Sequence, residues 1–224
     1  MDGGVIHSAS IRDGLRPGTR IFPFCFRRAV WYPIDVLAIE ETAERTADRA
    51  RLRAILLERS LRFGDFVLSS GAKSRYYVDV RQTSLHPEGA LLIAKLLLPA
   101  LRASGAEAVG GLTLGADPIV GALTVWSELQ GRGLSGFLVR KEAKGHGAAR
   151  RIEGPFHPGI PVAIVDDVIT KGGSALNAME AAREAEADVR LVACVVDRGE
   201  GGAEEFAARG VPFHALFHIR EFLS

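Results

Sequence analysis

The segment Val162–Ser174, VAIVDDVITKGGS, constrains the fold of this chain more than any other. Its first four residues are apolar and rich in β-branched side chains, which suits a strand buried on both faces. Two carboxylates, Asp166 and Asp167, follow at once. Thr170, the spacer Lys171, Gly172, Gly173 and Ser174 then lead into a helical pattern over Ala175–Ala187. A strand, a glycine turn and a helix start bring backbone N–H groups and a helix dipole to one point, and that point suits a phosphate. In an open parallel sheet it lies at the carboxyl edge of the strands, where ligands bind. Phosphate alone would not call for two acids beside it. Paired carboxylates there suit ribose hydroxyls, or a magnesium ion shared with them. The turn matches neither the Walker pattern nor the dinucleotide-binding pattern.

The rest of the chain alternates strands with helices. The spacing predicts a helix over Val36–Leu61, with acids early (Glu40, Glu41, Glu44) and an apolar stripe later. Short strands at Phe66–Leu68 and Tyr76–Val80 flank the turn Ser69-Ser70-Gly71 and suggest a hairpin. Pro87 opens a helix to about Ala103, with Pro99 a point of kinking or breakage. Ala108–Leu112 reads as a strand, Gly111–Pro118 as a second glycine-bearing turn, and Pro118–Gln130 as a helix. Further strands are expected at Phe137–Val139 and Val189–Val196, then a short helix over Ala203–Arg209 and a strand over Pro212–Ile219. Such alternation implies a doubly wound, mostly parallel sheet.

Composition bounds the function. The 224 residues carry a formal net charge of +1, which argues against a nucleic-acid footprint. No apolar run approaches the roughly 20 residues that span a bilayer. The two cysteines, Cys25 and Cys194, make neither a metal spacing nor a disulfide framework, and a reducing, cytoplasmic setting is the simplest reading. Residues 1–35 show neither helix nor strand period. They read as an N-terminal extension, a disordered tail or a start codon set too early rather than a targeting segment, preceding one domain over 36–224.

Four segments end strands at one expected edge: Leu112–Asp117, Arg140–His146, Asp166–Ser174 and Asp197–Arg198. The second places Arg140, Lys141, Lys144 and His146 within seven residues. In a nearly neutral chain, that loop suits a polyanion: Arg offers a planar fork to phosphate oxygens and Lys a mobile point charge. Its length and glycines suit a moving flap.

The run VDDVITKGGSA resembles the phosphoribosyl-pyrophosphate (PRPP) motif of type I phosphoribosyltransferases, and GGLTLGADP fits the same group. FVLSSGAKSRYYVD, VRKEAKGHG and VDRGEGG, in that order, resemble the orotate branch. The resemblance covers about Leu52–Glu205. It implies the type I fold, a parallel sheet flanked by helices with a small hood built from the N-terminal hairpin and the C-terminal segment. It also implies a magnesium-dependent reaction of PRPP with orotate giving orotidine 5′-monophosphate and pyrophosphate, in a homodimer with the Arg140–Gly147 loop shared across subunits.

By that resemblance Asp166 and Asp167 would hold the ribose hydroxyls and the magnesium. Val168, Ile169, Thr170, Lys171, Gly172, Gly173 and Ser174 would wrap the 5-phosphate, with the Lys171 side chain turned to solvent. Thr113, Leu114, Gly115, Ala116 and Asp117 would lie against the pyrophosphate. Arg140, Lys141, Lys144 and His146 would grip that diphosphate, with Lys144, His146 and Asp167 carrying catalysis. Thr170, Arg198 and Tyr77 would meet orotate, only one of Tyr76 and Tyr77 seeing ligand because strand side chains alternate. Some relatives carry Lys where this chain has Ser69, and Tyr-Lys where it has Leu114-Gly115. Neither Ser69 nor Gly115 supplies a cation, so some pyrophosphate contacts here must differ. A phosphoribosyltransferase for another base, or a PRPP-sensing regulator without catalysis, are the rival readings.

Overall fold

The structure, a computed structural model, describes residues 42–67, 73–142 and 151–223. The expected N-terminal extension and the first residues of the expected helix from Val36 lie outside these. Helix α1 (Ala43–Ile55) is capped by Thr42, whose Oγ1 accepts from the Arg45 amide at 3.1 Å. It continues through a wider π turn over Leu56–Ser60 into strand β1 (Leu61–Val67). Strand β2 (Lys73–Val78) pairs antiparallel with β1, Leu61 opposite Val78, as a two-stranded sheet apart from the main one. β1 starts earlier in the chain than the expected Phe66, because Leu61 is buried and the Asp79 amide donates to Ser60 O at 2.9 Å. This hairpin, followed by the short helix α2 (Arg81–Ser84), is the N-terminal part of the expected hood.

Helix α3 (Pro87–Ala103) runs unbroken past Pro99. Pro99 lies close to the helix end, and its neighbours Leu97, Leu98, Ala100 and Leu101 are buried. Their burial outweighs the one backbone hydrogen bond that proline removes. The main sheet holds β3 (Ala108–Leu112), β4 (Ser135–Val139), β5 (Ile152–Glu153), β6 (Pro161–Ile169), β7 (Asp188–Asp197) and β8 (Phe213–His218), in the spatial order β5-β4-β3-β6-β7-β8. All neighbours are parallel except β4 and β5. Helix α4 (Asp117–Leu129) follows β3, α5 (Gly173–Glu184) follows β6, and α6 (Gly202–Ala208) follows β7.

Side chains along the central strands alternate between two cores. Ala163 and Val165 of β6 join Leu191 and Ala193 of β7 on the face that packs with α1, α3 and α4. Val162 and Ile164 join Val192 and Cys194 on the face that packs with α5 and α6. Burial on both faces explains why these strands read as continuous apolar runs. The C-terminal 3₁₀ turn Ile219–Phe222 is tied to α1, with Arg49 Nη2 on Glu221 Oε2 at 2.7 Å. Among the described residues no helix is long and apolar enough to cross a membrane.

The sheet changes direction between β3 and β6. From β3 the chain moves outward to β4, then returns to lay β6 on the other side of β3. The β3–β6 ladder ends at Gly110 opposite Ile164, whereas β6 stays paired with β7 as far as Ile169 opposite Asp197. Beyond Ile164, one side of β6 is therefore open, and a crevice forms at the switch point.

Candidate active site

Asp166 and Asp167 stand on that open stretch. They are part of β6 rather than of the loop after it, because pairing with β7 carries the strand to Ile169. Asp166 is 5% exposed. Its Oδ1 accepts from the Asp167 amide at 3.0 Å, and Asp167 Oδ1 accepts from the Val168 amide at 2.8 Å. Burial, with the Asp167 charge next to it, pushes the Asp166 carboxyl up to about 8. Burial raises Asp167 as well, but backbone and side-chain hydrogen bonds and the Arg81 guanidinium work against it. Burial thus favours the neutral form of both carboxyls, and a cation or hydroxyl donors brought to their oxygens would offset that cost.

Gly115 lies directly on these carboxylates. A Cβ there would stand 2.7 Å from Asp167 Oδ1 and 3.1 Å from Asp166 Oδ1. The same turn contains a cis peptide between Thr113 and Leu114. Gly111 packs as tightly, since its Cβ would meet Val165 O at 2.1 Å. Both glycines let the β3 turn reach the end of β6.

The turn Thr170–Gly172 leads into α5. Gly172 is its N-cap at φ 80°, ψ 8°, with no side-chain cap. The first turn of α5 carries no acid. Its N–H groups and dipole are thus left to an outside anion. The turn is braced from behind: Gly202 N donates to Thr170 O at 3.0 Å, and Phe206 packs where a Gly172 Cβ would project.

A cleft of about 720 Å³ opens over these groups. Asp166, Asp167, Val168 and Ser174 line its floor, Thr113, Leu114 and Gly115 one wall, and Arg140 and Lys141 another. Val78, Asp79 and Arg81 close it from the hood. The root of the cationic loop is a narrow hairpin. Val139 pairs with Ile152, the Arg140 amide donates to Arg151 O at 2.8 Å, and Arg140 Nε meets Glu153 Oε1 at 2.9 Å. β5 is too short to leave a periodic signal in the sequence. Lys144 and His146 lie outside the described residues.

Arg198 follows β7, and its amide donates to Ile169 O at 2.8 Å. Its side chain is 11% exposed, with Nη2 on Glu200 Oε1 at 2.9 Å and the guanidinium over the Tyr76 ring. Nε is buried without a partner among the described residues. A planar carboxylated ligand would supply one.

The expected residues separate in space. Thr113, Leu114 and Gly115 line the cleft, whereas Ala116 is fully buried and Asp117 opens α4 beside a different groove, with Val120 and Phe137. Ile169 and Gly172 turn into the core, and Lys171 is exposed. The structure brings Tyr76 to Arg198, while Tyr77 sits against Phe66, their ring centres 5.8 Å apart. Asp79 and Arg81, which follow the hairpin strand, are not among the residues singled out from the sequence. That position was the only signal.

No family model matches the chain. It is 46% identical over 183 residues to the orotate phosphoribosyltransferase of Bradyrhizobium sp. (strain BTAi1), covering 80% of this chain and 99% of that protein. To that of Thermosynechococcus vestitus it is 49% identical over 180 residues, covering 80% and 95%. The Mycobacterium tuberculosis orotate phosphoribosyltransferase in complex with PRPP matches with a TM-score of 0.66 at 35% identity, over 77% of this chain and 97% of that one. An adenine phosphoribosyltransferase from Leishmania donovani, at 20% identity and a TM-score of 0.57, covers 75% of this chain and 80% of its own and shares the fold alone. With the type I fold and relatives this similar along nearly their whole length, the chain belongs to the orotate phosphoribosyltransferase family.

Proposed function

We propose that this chain transfers the 5-phosphoribosyl group of PRPP to orotate, releasing pyrophosphate and forming orotidine 5′-monophosphate. One observation carries the reading: a carboxylate pair, an uncapped helix N-terminus and the cations Arg140 and Lys141 meet at one sheet edge, where the amide of Arg198, at the end of the neighbouring strand β7, donates to Ile169 O. Ribose would lie on Asp166 and Asp167, its 5-phosphate on the turn into α5, and its diphosphate under the Arg140–Gly147 loop. The bond from C1 to the diphosphate oxygen breaks with its electron pair leaving on oxygen, and the orotate N1 bonds to C1 as its N–H bond breaks and the proton passes to the departing diphosphate or to water. Negative charge grows on the leaving group, so cations held there favour the transition state over the ground state. Closure of the loop with Lys144 and His146 would exclude water, the competing nucleophile. Arg198 and Tyr76 would select the carboxylated base.

Among the described residues no group of three or more His, Cys, Asp or Glu side chains could by itself hold a metal. Asp166 and Asp167 still fit magnesium, which takes one or two carboxylates together with substrate phosphates. When bound, magnesium would neutralise charge on the diphosphate. We place the protein in the cytoplasm as a homodimer sharing the Arg140–Gly147 loop, with residues 1–35 as an extension of the domain.

The protein mixed with PRPP, magnesium and orotate is expected to deplete orotate absorbance, and uracil or purine bases to react far more slowly. Lys144→Ala should slow turnover strongly with its melting temperature unchanged; full activity in that variant would remove the loop from the reaction. Mixing Lys144→Ala with Asp167→Asn chains should restore part of the activity if the loop crosses between subunits. Turnover of a purine in place of orotate would overturn the assignment.

A further inference from the structure

We propose that Arg81 is a cation of the diphosphate end of the cleft, held in position by Asp79. The inference rests on the transfer reading and adds to it a residue from the hood. It starts from a charge deficit. Asp166, Asp167, Asp79 and Glu142 all face the cleft, and a diphosphate brings further negative charge. Arg140, one of the cations at its wall, already engages Glu153 through Nε. Gly115 cannot be replaced by a cationic side chain, because even a Cβ there would press on Asp167. A cation additional to those of the Arg140–Gly147 loop would have to come from another element.

Arg81 meets that need by position. It lines the same cleft as Thr113, Leu114, Gly115, Asp166 and Asp167. The clamp from Asp79 is built from two bonds to one oxygen: Asp79 Oδ1 accepts from Arg81 Nε at 2.7 Å and from the Arg81 amide at 3.2 Å. Gln82 Nε2 approaches Asp79 Oδ2 at 3.5 Å. The clamp takes the Nε edge, and with no bond to the two Nη groups among the described residues, they can present a fork to phosphate oxygens. The platform beneath is rigid. Val80 and Thr83 are fully buried, and the Thr83 hydroxyl shares a 2.7 Å hydrogen bond with Ser60. Arg81 itself remains 45% exposed on its side chain, so a ligand can reach it. An Arg held this way loses little freedom on binding, which is what makes it effective toward an anion.

The test compares Arg81→Gln, Arg81→Lys and Asp79→Asn with the wild type. Affinity for inorganic pyrophosphate in magnesium buffer is measured by calorimetry, affinity for inorganic phosphate is measured in parallel, and KM is determined for each substrate. Arg81→Gln should weaken pyrophosphate and raise KM for PRPP about 10- to 100-fold, the range for a charge-assisted hydrogen bond. Phosphate affinity and KM for orotate should hold within twofold. Arg81→Lys should recover part of the loss, and Asp79→Asn should show a smaller rise in the KM for PRPP. Because Arg81 is exposed, its substitutions should move the melting temperature little. Pyrophosphate affinity unchanged in Arg81→Gln would overturn the inference, and an equal loss of phosphate would move Arg81 to the 5-phosphate end and overturn it as stated. A wild type that binds pyrophosphate through Arg81 yet leaves orotate intact would sink the transfer reading and keep this one.

Discussion

The Arg198 guanidinium lies 5.0 Å from the centre of the Tyr76 ring, joining the end of β7 to the hood strand β2. A cation over an aromatic face is held flat, and the fork of a buried Arg is then aimed rather than free. Lysine would keep the charge but lose the plane. Arg198→Lys should therefore raise KM for orotate about 10- to 100-fold, as expected for a charge-assisted pair, and leave KM for PRPP nearly unchanged. Equal losses for both substrates would mean that Arg198 shapes the sheet edge rather than the base pocket.

Gly115→Ala tests the contact between the β3 turn and the acids. The added methyl would meet Asp167 Oδ1 at 2.7 Å and push the carboxylates out of place. Displacements of about 1 Å at a reacting centre reduce rates roughly 100-fold. The expected result is a loss of that size in kcat, read in a steady-state assay, with stability lowered by about 1–3 kcal/mol in urea unfolding. Wild-type kcat in this variant would contradict the geometry.

Asp166 gives a pH dependence with a definite sign. Its folded value is raised to about 8 from an ordinary 3.8. Between those values the unfolded chain releases a proton that the folded chain keeps. The contribution to stability is thus full below about pH 4 and is lost as pH rises through 8, at up to about 1.4 kcal/mol per pH unit. In urea titrations from pH 5 to 8.5 without ligand, the wild type should weaken relative to Asp166→Asn. Parallel curves for the two would refute the assignment.

Gly172→Ala probes the phosphate turn. Alanine at φ 80° carries a left-handed penalty of about 1–2 kcal/mol, and its Cβ would meet Phe206 Cζ at 2.8 Å. We expect a stability loss of about 2–3 kcal/mol together with weaker binding of inorganic phosphate, measured by unfolding and by calorimetry. Gly173→Ala is the control, since nothing lies within 4 Å of its Cβ position. A Gly173→Ala loss as large as that of Gly172→Ala would argue against the turn geometry.

Several features were legible before any coordinates. The runs Ala108–Leu112 and Val162–Val165 are apolar because both faces are covered, and they appear as strands where expected. The helix opened by Pro87 follows its 3.6-residue period to Ala103. The strand, glycine turn and helix around Thr170–Ser174 form where local chemistry puts them. Other features misled or were silent. Pro99 does not break α3, because buried leucines around it outweigh one missing hydrogen bond. β5 went unseen, since two residues carry no period.

The sequence by itself determined the alternation of strands and helices, the carboxylate pair, the glycine turn and the cationic loop. These are written in short-range periodicity and in turn chemistry, which a few neighbouring residues settle among themselves. Only the tertiary structure decided which edge of β6 is left open, that Gly115 rests on Asp166 and Asp167, that Tyr76 and not Tyr77 meets Arg198, and that Arg81 faces the cleft. Each depends on where a strand ladder stops or on which face of a hairpin packs inward. Such outcomes come from contacts between residues far apart in the chain, and no local pattern encodes them.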